Sequence, residues 1–195
     1  MASGMSVADG SWVVPEPGWV CPECGFAYDA TDPLRAADLV REFPARYRVP
    51  LERALPGEDL DALLRARPDG GGWSALEYAC HTRDGFTLYE QRIGLTLAND
   101  RPVFPRMHRD QLAIDDAYNR QHPSYVASSL TEAATSLAGA FDAVPAEGWA
   151  RVGVREDLEM TIDWMARNVV HEGRHHLLDI GRALRAARRA DATTA

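Results

Sequence analysis

The longest periodic run in the chain, roughly Ile162 to Arg189 with Thr161 as its cap, narrows the available folds more than any other stretch. As a helix it sets Trp164, Asn168, His171, His175 and Leu178 on a single face, so two histidines four residues apart stand in the stripe that should face a core. Helical neighbours at that spacing have Cβ atoms about 5–6 Å apart. Two imidazoles so placed can close on one divalent ion, and a stable site then needs at least one further ligand from another element.

The best donor is His81. Ser74 and Glu77 have capping-box spacing, and Trp73 and Tyr78 occupy the staple positions around them, so His81 falls in the second turn of a helix with a well-marked start. That helix extends from Ser74 to about Ala98, and His81, Leu88 and Leu95 recur at heptad steps that turn the histidine inward. Upstream, Asp32 and Pro33 read as cap and first helical position, and Pro44 and Pro50 are expected to divide the segment beyond them into two short helices. Leu60, Leu63 and Leu64 add another turn or two before Pro68 and Gly70-Gly71-Gly72.

Residues 99–110 read as a loop, a helix is expected near Gln111–Arg120, and another runs from Pro123 to about Ala143 on the stripe Val126, Leu130, Ala133, Ala134, Leu137 and Phe141. The stretches Val13–Val20 and Trp149–Val154 are too short and too broken by glycine and proline to count as strands. The fold class is therefore all-α, a four-helix bundle with long connections, in which metal sites are built from inward side chains of different helices. Residues 1–30 read as an irregular, extended N-terminal segment, 31–190 as the bundle and 191–195 as a tail.

At 195 residues, 46% apolar and 26% charged, the chain suits one globular domain with a substantial core. A net charge of −8 argues against the broad cationic surface that nucleic acid rewards. No stretch reaches the length of a membrane span and no signal region opens the chain, so a cytoplasmic protein without a membrane partner is expected. All 21 basic residues are arginine and alanine is abundant, which points to a GC-rich genome. Arg182, Arg185, Arg188 and Arg189 read as the solvated, dipole-complementing end of the last helix.

Three cysteines, Cys21, Cys24 and Cys80, do not make a disulfide framework. Cys21-Pro22-Glu23-Cys24-Gly25 is half of a zinc-ribbon knuckle, open to three readings: a second metal site completed by histidine or carboxylate, with His108 or His122 as candidates, a reducible disulfide, or two free thiols in a turn. Cys80 is expected to pack in the core.

The pattern Trp73-x-x-x-Glu77-x-x-x-His81-x-x-Asp84, followed by His171-x-x-x-His175 and His176-Leu177-Leu178-Asp179-Ile180, resembles the DinB-like metal-binding four-helix-bundle superfamily over roughly residues 33–185. That superfamily includes damage-inducible proteins and thiol S-transferases that use mycothiol or bacillithiol, among them mycothiol-dependent maleylpyruvate isomerase. The resemblance implies a metal, usually zinc, held by one histidine of the second helix and two ligands four residues apart on the last, here His81, His171 and His175. Some thiol-transferase members carry a glutamate at the first of those two last-helix positions. The Trp19–Phe26 opening is similar to N-termini of members from high-GC bacteria.

Asp84, three residues after His81, is the candidate for holding an imidazole tautomer or reaching the open side of the metal, against the alternative of a helix charge paired with an arginine. Glu77 belongs to the cap, while Glu172 and His176 fall about 100° from the chosen face and are assigned no ligand role. Three imidazoles would leave a zinc ion with a vacant position, the arrangement of catalytic sites. A thiol entering there would lose its proton, and a water would become a hydroxide source. The expected function is thus a metal-dependent transferase that activates a mycothiol-like thiol for attack on a small electrophile. The alternatives are a zinc hydrolase on the same site and a non-catalytic stress-response protein braced by its metal. The expected partner is a small-molecule substrate, and a homodimer is left open.

Overall fold

The computed structural model describes residues 18–194. Its helices are α1 (Ala36–Glu52), α2 (Leu60–Arg65), α3 (Ala75–Ala98), α4 (Arg109–Asp115), α5 (Pro123–Asp142) and α6 (Ile162–Thr194), with strands β1 (Val152–Arg155) and β2 (Leu158–Thr161) before α6. The four long helices form a ring in which α1 packs on α5 and α6, and α3 packs on the same two. None of the helices described is long and apolar enough to cross a membrane.

Asp32 accepts the Leu34 N–H at 3.0 Å and Pro33 opens a single 3-10 turn that runs into α1. The expected break inside α1 does not occur: Pro44 and Pro50 both lie within one 17-residue helix. Each proline costs about 3 kcal/mol in a helix interior. Against this, Phe43, Tyr47 and Leu51 are at most 2% exposed, and each buried side chain of that size stabilises by roughly 1.5–3 kcal/mol. Tertiary burial keeps the helix whole.

The start of α3 matches the sequence reading. Glu77 N–H donates to Ser74 Oγ at 3.2 Å, Ser74 N–H donates to Glu77 Oε2 at 2.9 Å, and the rings of Trp73 and Tyr78 meet at 5.6 Å. Burial pushes the Glu77 carboxyl up, but the Arg67 guanidinium and the Ser74 N–H outweigh it and hold the group below the ordinary carboxylate range. A depressed folded-state pKa stabilises above the unfolded value near 4.3 and is lost as pH falls through the folded value. Glu77→Gln should therefore lower the melting temperature at neutral pH and flatten its decline under acid, measured by thermal melts across pH 2–6 on the scale of ~1 kcal/mol.

Beyond the first turns the heptad reading of α3 fails, since Leu95 is 45% exposed and the buried positions are Phe86, Tyr89, Ile93 and Thr96. A straight helix drifts about 20° per heptad, which carries Leu95 off the stripe that His81 begins, while Leu88 still lines the cavity beside His81. The helix expected near Gln111–Arg120 is α4 plus a separate 3-10 turn at Tyr118–Arg120, parted by Ala117 in the left-handed region.

The stretch before α6 is a correction: it is a hairpin. Strands β1 and β2 pair antiparallel with Val152 opposite Thr161, and the 99–110 connection adds a bridge through Phe104 N–H to Val154 O (2.7 Å) and Val154 N–H to Pro102 O (2.8 Å). Gly153 does not break the strand. It admits Phe104, whose ring would lie 2.1 Å from any Cβ there. The hairpin and this connection close one end of the ring, beside the face where α3 and α6 carry their histidines.

Candidate metal centre

The inner stripe of α6 is Met165, Val169, Gly173, His176, Ile180, Ala183 and Ala187, all buried. Glu172 lies next to it, one turn before His176. Facing them from α3 is His81, whose ring lies 5.0 Å from that of His176 and 4.9 Å from Trp73. His81, Glu172 and His176 each offer one donor atom, all within 4.8 Å of one another.

The donors are prepared for a cation. One buried ring nitrogen, His81 Nδ1, has no hydrogen-bond partner. His176 Nε2 lies 3.3 Å from Glu172 Oε2, and on its other side His176 Nδ1 meets Asp179 Oδ2 at 3.0 Å. A ligating imidazole usually has its second nitrogen held by a carboxylate in this way. Burial, helped by the neighbouring His176, pushes the His81 pKa down to about 3, so its ring is neutral and carries a lone pair. Burial acts the same way on His176, but Asp179 and Glu172 outweigh it and raise that pKa to about 9. Two carboxylates converging on one buried ring make a potential well for a proton or a metal ion. Two imidazoles and a carboxylate are a zinc-type donor set, and with three protein ligands such a set leaves a coordination position open.

That position faces a cavity of about 410 Å³ lined by the three donors together with Tyr89, Arg92, Arg106, Arg109 and Arg155. Nε of Arg92 and Nε of Arg155 are buried without hydrogen-bond partners. Arg92 is otherwise braced, donating to Pro105 O at 3.1 Å and lying over the rings of Phe104 and Tyr89.

The model of the DinB superfamily matches residues 53–180, which include all three donors. The chain belongs to the DinB superfamily. Among solved structures it is similar to YfiT from Bacillus subtilis, titled "a probable metal-dependent hydrolase with an unusual four-helix bundle topology", with a TM-score of 0.70 and 18% sequence identity over 77% of this chain and 85% of that one. No curated protein sequence matches the chain.

Within this DinB bundle the expected triad is not assembled. His81 is grouped with Glu172 and His176, whereas His171 and His175 are grouped with Cys21 and Cys24. The reason is angular, because one residue is about 100° of helix. The face carrying Trp164, Asn168 and His171 is buried too, at 8%, 1% and 7% exposure, but beneath the N-terminal segment. The rings of Trp19, Phe26 and Tyr28 lie 5.8, 5.2 and 5.4 Å from His171. The sequence did carry a signal for the face that looks into the bundle. The apolar series Met165, Val169, Ile180, Ala183 and Ala187 is in phase with His176, not His175.

Asp84 is likewise elsewhere. It accepts two hydrogen bonds from Arg83, at 2.7 and 3.2 Å, and one from the Tyr118 hydroxyl, which is the paired-charge alternative for this residue. Cys80 is fully buried, as expected of a packing residue. His122 bonds to Ser124, and His108 lines the DinB cavity, so neither completes the cysteine pair.

Proposed function

We propose that the protein is a metal-dependent transferase that activates a low-molecular-weight thiol, mycothiol-like, for attack on a small anionic electrophile. The observation that carries this reading is the donor set itself, His81 with Glu172 and His176, open to a cavity walled by arginines. Glutamate then histidine one turn apart is the pairing that the family resemblance associates with thiol-transferase members, and in this chain it stands one residue on from the histidine pair that the sequence suggested. A zinc ion held there would supply Lewis acidity, lowering the pKa of a thiol entering the open position.

The chain's own residues do the rest. Trp73 packs against the His81 ring, and Asp179 holds His176 by its Nδ1, so both imidazoles keep their orientation when a ligand enters. Arg92 and Arg155 line the cavity, where a guanidinium can pair with a carboxylate on the electrophile, and charge-assisted bonds of that kind are about twice as strong as neutral ones. In the transfer, the thiol proton passes to solvent water, sulfur forms a bond to the electrophilic carbon, and the displaced electron pair passes to a leaving group or to a conjugated acceptor that is then protonated.

Incubating the zinc-loaded protein with mycothiol and carboxylate-bearing electrophiles should consume both together, and chelation should stop it. Hydrolysis of a substrate without thiol would favour the second reading, a metal-dependent hydrolase, which the words attached to YfiT suggest. Arg155→Ala should raise KM for the anionic electrophile about tenfold or more with a smaller change in kcat, since one charged hydrogen bond contributes ~1.5–3 kcal/mol. An unchanged KM would remove Arg155 from substrate binding.

A further inference from the structure

We infer that Cys21, Cys24, His171 and His175 form a second, closed zinc site that fastens the N-terminal knuckle to the outer face of α6. These four side chains offer donor atoms that all lie within 4.8 Å of one another. Cys21 Sγ is already 3.6 Å from His175 Nδ1, and the edge of a zinc tetrahedron with bonds of 2.0–2.3 Å spans about 3.3–3.8 Å. The cysteines are free thiols.

Local backbone puts both sulfurs on one side. Cys21 N–H donates to Phe26 O and Gly25 N–H donates to Cys21 O, each at 2.8 Å, and Val20 bridges Ala27 antiparallel. Gly25 sits at φ +68°, a conformation that favours glycine, and it lets the chain turn back immediately after Cys24. The Cys-x-x-Cys-Gly spacing thus has the geometry of a metal knuckle as well as its sequence.

An independent observation fixes the lone pair of His171. Asn168 Nδ2 donates to the Tyr89 hydroxyl at 2.6 Å, which turns its Oδ1 toward Tyr28, and the Tyr28 hydroxyl spends its only proton on that oxygen at 2.7 Å. The Tyr28 oxygen must then accept from His171 Nδ1, 3.0 Å away, so Nδ1 carries the proton and Nε2 the lone pair. That Nε2 is buried, has no hydrogen-bond partner, and belongs to a residue only 7% exposed. A buried lone pair without a donor costs about 1–3 kcal/mol unless something binds it. On His175, Nε2 lies 3.6 Å from Asp179 Oδ2 while Nδ1 faces Cys21.

Two thiolates neutralise the double charge of a zinc ion, and four protein ligands leave no position for a substrate, so this site is structural. The bundle site differs in both respects. Helix α6 would then lie between two ions, with Asp179 contacting a histidine ligand of each.

The test uses full-length protein purified under reducing conditions without added metal. Wild type should hold two equivalents of zinc by elemental analysis. Cys24→Ser and Cys21→Ser/Cys24→Ser should each hold one, and His81→Ala should also hold one. In the cobalt-exchanged protein, His81→Ala should keep the near-ultraviolet thiolate-to-cobalt charge-transfer band that both cysteine variants lose. A thiol-titrating mercurial should release one equivalent of zinc from folded wild type, which checks the site without a substitution. Tyr28→Phe should weaken this metal 10–100-fold. Cysteine variants that keep the full metal content, cobalt without a thiolate band, or a Cys21–Cys24 disulfide in the reduced preparation would each overturn the assignment. Loss of the knuckle zinc alone leaves the transferase reading standing, and loss of the His81 zinc alone leaves this one.

Discussion

Replacing His176 by alanine, or Glu172 by glutamine, is expected to remove the bundle metal and lower kcat/KM on the order of a thousandfold. The magnitude comes from the several kcal/mol that a Lewis acid contributes to a transition state, at 1.36 kcal/mol per tenfold. His81→Ala should do the same from the opposite helix, because the three donors converge within 4.8 Å. Asp179→Asn keeps the shape of the carboxylate but not its charge, and should weaken the metal by 10–100-fold while leaving the fold intact. Asp84→Asn is the informative contrast. That side chain is engaged by Arg83 and Tyr118 and is not among the three donors, so its substitution should leave metal content and turnover close to wild type even if stability falls. The checks are metal content by elemental analysis and initial rates at saturating thiol. Full metal in both His176→Ala and Glu172→Gln would refute the donor assignment.

A large effect on stability should come from Gly173→Val. Gly173 lies on α6 between the two last-helix donors, and a Cβ there would stand 2.6 and 2.7 Å from the Phe43 ring. Its carbonyl also accepts the Tyr47 hydroxyl at 2.8 Å. Phe43 is 2% exposed and has nowhere to retreat, so α6 must move away from α1. Overpacking of this kind costs about 1–3 kcal/mol, and a β-branched residue whose Cβ already collides should reach the upper end. At 2–4 °C per kcal/mol for a chain of this size, the melting temperature should fall by roughly 6–12 °C. Gly173→Ala should lose less, because alanine regains up to ~1 kcal/mol of helix propensity. Pairing Gly173→Val with Phe43→Leu should recover part of the loss in a double-mutant cycle. Stability equal to wild type in Gly173→Val would mean that α1 and α6 do not approach closely enough at this point for the two side chains to collide.

Much of the fold could be read locally. Asp32-Pro33, the Ser74/Glu77 box and the stripe of α5 act within a turn or two of helix, where spacing alone sets the geometry. Apart from the drift of the α3 heptads, the failures needed knowledge of distant neighbours. Pro44 and Pro50 are tolerated because Phe43 and Tyr47 are buried against other helices, and Gly153 is strand because Phe104 lies over it. His171 and His175 did belong to a buried face, but the local sign of which buried face of α6 looks into the bundle, the apolar series in phase with His176, was outweighed by the pairing of two histidines one turn apart.

Helix caps, the stripes of the long helices and the resemblance to the superfamily were legible from residues alone, since these depend on patterns a few positions apart. How the histidines divide between two neighbourhoods follows from tertiary packing. Helix α6 is covered on one side by α1 and α3 and on another by a segment that reaches it across 154 positions, with Cys21 against His175. A single residue of rotation, about 100°, moves a side chain from one cover to the other. That rotation separates a side chain beside the cavity from one packed against the N-terminal cysteines.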